Sequence, residues 1–204
     1  MDIVISFFNS ISSYNALAEY MGYLFFIALA ATLLFNLDDS QRVWIVGVFF
    51  VMIVLDIFVV RAFVPQDLII RQLAYSVLDL FVVYMLQKRI VLCDKIFRTF
   101  NMKDDGRFVS KVLRDIDSTK QEYAIRTILL IGVAINIAMI IEHCIRHPEF
   151  FGLAKSEYNA VSFQWLYNSY PFIKLSETAL LIVGLTSMTI DGLANKLEKS
   201  NFMS

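Results

Sequence analysis

Charge is scarce in this sequence. Of its 204 residues only 18% are Asp, Glu, Lys or Arg, while 58% are hydrophobic. Soluble domains carry about 25% charge and about 45–50% apolar residues. One water-facing core has no room for this much apolar surface, which excludes an ordinary soluble domain and makes a membrane protein the expected class. Cysteine is also scarce. Cys93 and Cys144 stand far apart, which excludes a disulfide framework and a zinc pattern and leaves two free buried or interfacial thiols. Seven glycines make no phosphate-cradling loop, and Gly106 stands alone in the most basic stretch, so neither a P-loop nor a dinucleotide fingerprint is present. No Ser/His/Asp elbow occurs, and a non-enzymatic role is expected. No Lys or Arg precedes Arg42. The opening "MDIVISFFNS" therefore lacks the basic region of a cleaved signal peptide, and it lacks the small-residue cleavage site as well. No internal repeat is visible, which weakens an inverted-repeat transporter.

Long apolar runs fill the remainder, and the mean hydropathy is +0.62. A helix needs roughly 20 apolar residues to cross the hydrocarbon core. Five segments meet that length: Leu17–Phe35, Val43–Val64, Leu68–Leu86, Ala124–Ile145 and Phe172–Leu193. Residues 3–14 are too short to span and suit an interfacial helix. The expected fold is thus all-α, a polytopic integral membrane protein of about five transmembrane helices. Its expected sections are residues 1–86 with spans one to three, 87–123 as a basic hairpin, and 124–204 with spans four and five. The connection 146–171 is rich in aromatic residues, as befits a segment at headgroup level.

Basic residues set the expected orientation. Ten of the 18 lie between Lys88 and Arg126, so that side is expected to be cytosolic. Five spans then put the N-terminus outside and the C-terminus in the cytosol of a cell with an inner membrane. Ile90, Cys93, Phe97 and Phe100 recur at helical spacing, as do Phe108 or Val109, Val112 and Ile116, with a turn at "NMKDDG" between them. Spans three and four are therefore expected to extend into the cytosol as a helical hairpin. Its plain reading is two arms packed together with a solvated face. Its functional reading is a docking surface for an anionic ligand (nucleotide, oligonucleotide or lipid headgroup) or for a protein partner, with Lys88, Arg89, Lys95, Arg98, Arg107, Lys111 and Arg114 as the binding candidates.

Charges inside the spans need a reason. A charged side chain at the bilayer centre costs about 3 kcal/mol on insertion scales and more in simulation. Arg71, Tyr75 and Asp79 share one face of span three at four-residue intervals, with Asp79 near mid-membrane. Arg61 and Arg71 have stems long enough to reach outward. Asp56 and Asp79 do not, so they must bond polar groups on other helices or line a wet path. In span five Glu177, Gly184, Ser187 and Asp191 form one stripe, with Lys174 one turn before Glu177. Small residues in such a stripe permit close helix packing, while acids at both ends suit a cation pore. Glu177, Gly184, Ser187, Asp191, Asp79 and Asp56 are the pore-lining candidates. At the end of span four, Glu142, His143, Cys144 and His147 invite a metal reading. No third ligand follows at a useful spacing, and Glu142 and Arg146 instead make an i,i+4 pair. No metal and no cofactor are expected.

The reading favoured by these features is a small homo-oligomeric inner-membrane ion channel or pore, with the path on the symmetry axis and gating through the basic region. Small membrane effectors of bacterial antiviral defence share this general plan, a comparison of architecture that no motif here supports. A second reading is a non-conducting membrane binding protein, such as an immunity protein against a pore-forming toxin. A third is a membrane enzyme acting on lipid through Glu142 and His143.

Overall fold

The computed structural model describes residues 14–65, 67–89, 91, 92, 95, 119–147 and 165–201. Among these residues the chain is all-helical, and five helices are long and apolar enough to cross a membrane. They are α1 (Tyr14–Phe35), α2 (Ser40–Phe63), α3 (Leu68–Gln87), α4 (Lys120–Arg146) and α5 (Trp165–Asn201). The expected interfacial helix at 3–14, almost all of the basic hairpin and most of the aromatic connection lie outside the described residues.

Local chemistry sets the helix ends. The Asp39 carboxylate caps α2 by accepting from Gln41 N and Arg42 N. Asp67 does the same for α3 through Ile69 N and Ile70 N, and the Thr119 hydroxyl accepts from Glu122 N at the start of α4. Each side chain satisfies donors that the first turn of a helix leaves open. Helix α2 carries one irregularity, a π-turn over Asp56–Val60 in which the Arg61 N–H bonds the Asp56 carbonyl. Helix α5 is longer than its apolar run: its 37 residues begin seven positions before the sequence places the span and continue through a charged end with Lys196 and Glu198.

Packing runs α2–α1–α5–α4–α3 and closes back on α2. The junctions of α2 with its neighbours are thinner than those of α3 with α4, α4 with α5, and α5 with α1. The end where α1 and α3 finish and α2 and α4 begin is here called proximal, because the segment after Arg89 leaves and returns there. The opposite end is distal.

The two halves of the interior differ. The proximal half is apolar and closely packed: Ile45 and Phe49 of α2, Leu86 of α3, Ile125 of α4 and Leu185 of α5 meet there with almost no exposure. The Phe25 ring of α1 packs edge-on against Phe49, with centroids 5.5 Å apart. Apolar burial alone does not drive helices together in lipid, since acyl chains are as apolar as Leu; close packing and interhelical hydrogen bonds do. Large apolar side chains such as Phe26, Ile27, Phe50, Phe58, Val77, Ile131 and Val183 are exposed on the perimeter, an arrangement compatible with a membrane protein.

Candidate functional site: a polar chamber in the distal half

The distal interior is polar, and α3, α4 and α5 build it. Lys174 of α5 stands at its centre. Its ammonium lies 2.7 Å from Glu177 Oε2 one turn along the same helix and 3.8 Å from Asp79 Oδ2 of α3. The Lys174, Asp79 and Glu177 side chains are 23%, 13% and 10% exposed, so the three charges are sequestered together. This gathering explains how Asp79 is kept at mid-span: its counter-charge comes from another helix, not from Arg71 on its own face. Above it, toward the distal end, the Tyr170 hydroxyl of α5 lies 2.8 Å from Gln72 Oε1 of α3 and 3.0 Å from Asn136 Oδ1 of α4. Ser76 donates back to the Gln72 carbonyl.

Gly132 of α4 makes the chamber possible. The Glu177 carboxylate lies directly against it, and a Cβ at this position would collide with the carboxylate oxygens. Gly184 is different, because a Cβ there would meet only Ile125 Cγ1 at 3.4 Å, an ordinary contact. Gly132→Ala should therefore destabilise the folded protein by about 1–3 kcal/mol, the usual range for overpacking, while Gly184→Ala should be close to neutral. Thermal unfolding of both variants in one detergent checks the contrast. Adding Glu177→Asp to Gly132→Ala, which shortens the acid by one methylene, should recover part of the loss.

The chamber opens sideways between α2 and α3 into a cavity of about 200 Å³ lined by Met52, Ile53, Asp56, Tyr75, Leu78 and Asp79. Asp56 sits at the first position of the π-turn, and its Oδ2 takes both Arg61 Nε and NH2 at 2.9 Å. Several buried polar atoms here carry no hydrogen bond: Asp56 Oδ1, Asp79 Oδ2, Asn136 Nδ2 and Arg71 Nε. Buried polar atoms nearly always have partners in folded proteins. Four without one, all in the same half of the bundle, mark a region with an affinity for water.

At the proximal end a second polar layer closes the apolar half. Glu122 Oε2 of α4 accepts from Gln41 Nε2 at 2.6 Å and pairs with Arg89 NH1 at 3.1 Å, with the Glu122 and Arg89 side chains 2% and 5% exposed. One carboxylate oxygen thus ties α2, α4 and the chain just past α3. Arg42 reaches Asn36 Oδ1 just past α1 and the Met188 carbonyl of α5 while pairing with Asp39. Thr32 and Thr189 exchange a hydrogen bond at 3.1 Å between α1 and α5. At the distal rim Glu142 accepts from Tyr167 N at 3.1 Å and pairs with Arg146 at 3.6 Å, whose guanidinium lies 4.7 Å from the Tyr167 ring centroid.

The predicted site residues fall into three groups. Asp79 and Glu177 meet at the chamber, and Asp56 shares the adjoining cavity with Asp79. Gly184 and Asp191 lie in the seam with α4, Gly184 over Ile125 and Asp191 accepting from Gln121 Nε2; Ser187 between them is half-buried. The stripe thus runs along a junction inside the subunit. Of the basic candidates, Lys88 and Lys95 are exposed, whereas Arg89 is buried on Glu122 and forms no part of a solvated basic face. Arg98, Arg107, Lys111 and Arg114 lie outside the described residues.

Sequence reasoning foresaw the Lys174–Glu177 and Glu142–Arg146 pairs. It missed Gln72, Gly132 and the reach of Lys174 to Asp79, and it gave Arg61 an anchoring role without its bond to Asp56. The one available signal for Gly132 was a glycine four residues before Asn136 on the same face of span four. Among the described residues no three His, Cys, Asp or Glu side chains gather as metal ligands. His143 and His147 lie against each other with ring centroids 4.4 Å apart, and Cys144 is a half-buried free thiol. No protein-family model matches the chain, and no curated protein and no solved structure matches it either.

Proposed function

We propose that this chain is an ion-translocating membrane protein, a small channel whose path enters at the distal end and runs through the interior between α3, α4 and α5. The observation that carries the reading is the gathering of Asp79, Lys174 and Glu177 at mid-span, away from lipid. Ionisable groups at that depth are costly, and in membrane proteins they mark ion and proton pathways. In this reading the apolar layer of Ile45, Phe49, Leu86, Ile125 and Leu185 is the closed gate, about two helical turns from Asp79 along α3 and from Glu177 along α5. The basic segment after Arg89 lies on the cytosolic side of an inner membrane, and an anionic ligand or partner bound there acts on the gate through Arg89 and Glu122. The subunits form a homo-oligomer for packing; the path itself lies within each one.

The test is ion flux into liposomes carrying the purified protein. Phe49→Ala, which thins the gate, is expected to raise flux well above that of empty vesicles, and wild type is expected to stay low. No flux of any ion with either protein removes the reading.

The same apolar layer favours a second reading, a non-conducting membrane binding protein, because a permanent plug needs no path. That reading expects Phe49→Ala to lose stability and gain no flux.

A further inference from the structure

We propose that the ion moved is the proton, and that Asp79 is the group that carries it past mid-membrane; this rests on the translocating reading above and names its substrate. Three observations lead there.

The place a metal cation would take is filled. Among the carboxylates of the chamber, the Lys174 ammonium already stands 2.7 Å from Glu177 and 3.8 Å from Asp79. A second cation between them would sit a few ångström from a fixed positive charge in a medium of low dielectric, where repulsion is strong. A proton avoids that conflict, since it bonds to a carboxylate oxygen and needs no coordination shell.

Of Asp79 and Glu177, it is Asp79 that has a buried carboxylate oxygen without a hydrogen bond. Glu177 is held by Lys174 and packs against Gly132. Asp79 Oδ2 has no hydrogen bond and stands 3.8 Å from the Lys174 ammonium, and Asp79 lines the cavity shared with Asp56. Proton uptake there converts a carboxylate to a carboxylic acid, forming one O–H bond and breaking one O–H bond of the hydronium that delivers it. Lys174 keeps its charge and its bond to Glu177, so the trio goes from net −1 to neutral. Release on the other side reverses the step.

The surroundings suit water. Buried polar atoms without a hydrogen bond sit on three helices: Asp56 Oδ1 on α2, Arg71 Nε and Asp79 Oδ2 on α3, and Asn136 Nδ2 on α4. Asn136 is fully buried, yet its amide nitrogen lacks an acceptor. Buried waters typically make two to four bonds to groups of this kind, and a file of them passes protons by exchange. Other titratable groups face this region from each element: Asp56 and Arg61 on α2, Arg71 and Tyr75 on α3, Tyr170 on α5, and Glu142 and His143 toward the distal end of α4. Among the described residues only Asp79 combines a mid-span position, an oxygen without a hydrogen bond and direct contact with the cavity.

The experiment uses the full chain in liposomes loaded with a pH-sensitive dye, with a potassium diffusion potential as the driving force and parallel vesicles reporting Na⁺ and K⁺. Phe49→Ala supplies an open gate. Proton flux without Na⁺ or K⁺ flux is expected from it. Adding Asp79→Asn should abolish that flux, and adding Asp79→Glu, which retains the carboxyl, should preserve it. Na⁺ or K⁺ crossing as readily as protons overturns the proton assignment and leaves the channel reading standing. Proton flux unchanged by Asp79→Asn, or its loss in an Asp79→Glu variant that elutes as wild type does, overturns Asp79 as the carrier. No flux of any ion from wild type or Phe49→Ala overturns both.

Discussion

Glu122→Ala is expected to lower stability by about 3–5 kcal/mol, the range for removing one partner of a buried ion pair. The Arg89 and Glu122 side chains are almost fully enclosed, so solvent will not take over the charge that is left. The alanine leaves the Arg89 guanidinium facing a void and deprives Gln41 Nε2 of its acceptor. Three chain segments lose their common tie at once. Reversible unfolding by denaturant in mixed micelles gives the number. The paired control is Arg89→Met with Glu122→Leu. Replacing a buried ion pair with apolar side chains of similar size is often neutral or stabilising, so the double variant should stand well above the single. If it falls as far as Glu122→Ala, the loss reflects packing volume and not charge.

Lys174→Met is the second large effect, again about 3–5 kcal/mol. Methionine fills much of the same volume, which isolates the charge. Without the ammonium, Asp79 and Glu177 stand as like charges sharing one enclosed space, and nothing else described in the chamber supplies a cation within ion-pair distance of them. Glu177→Gln in the same background should restore most of the stability, because it removes one of the two negative charges and keeps the shape against Gly132. Unfolding of the three variants in parallel decides it. A Lys174→Met protein as stable as wild type would show that Asp79 and Glu177 do not depend on this lysine.

Five spans were legible because the periodicity of burial hardly matters when a whole segment must be apolar; length and composition suffice. Their ends were less legible. Span five was placed at Phe172, whereas α5 begins at Trp165. Pro171 and the polar run before it read as connection, yet proline is tolerated in a membrane helix when neighbours satisfy the freed backbone. The π-turn at Asp56 left no trace in the sequence, since it arises from how α2 fits its neighbours.

The site was half legible, for a physical reason. Pairs within one helix follow from spacing, so Lys174–Glu177 and Glu142–Arg146 could be read directly. Pairs between helices depend on which faces meet. Asp79 announced that it needed a partner, but its depth in span three does not say which of four other helices answers. Arg89 illustrates the converse. Set among nine other basic residues it reads as part of a cationic surface, and only the fold shows it turned inward onto Glu122.

The wide turn in α2 has a consequence for the outer wall of the bundle. Ordinary helical winding advances each residue by about 100°, and the one surplus residue between Asp56 and Arg61 shifts every later position around the axis by about that angle. Val60 is thereby brought inward while Ile57, Phe58, Val59 and Phe63 are exposed. Excising a single residue from Ile57–Val60 would therefore restore ordinary winding without turning what lies beyond it: Arg61 would follow Asp56 by four residues, and its guanidinium would stay beside the carboxylate.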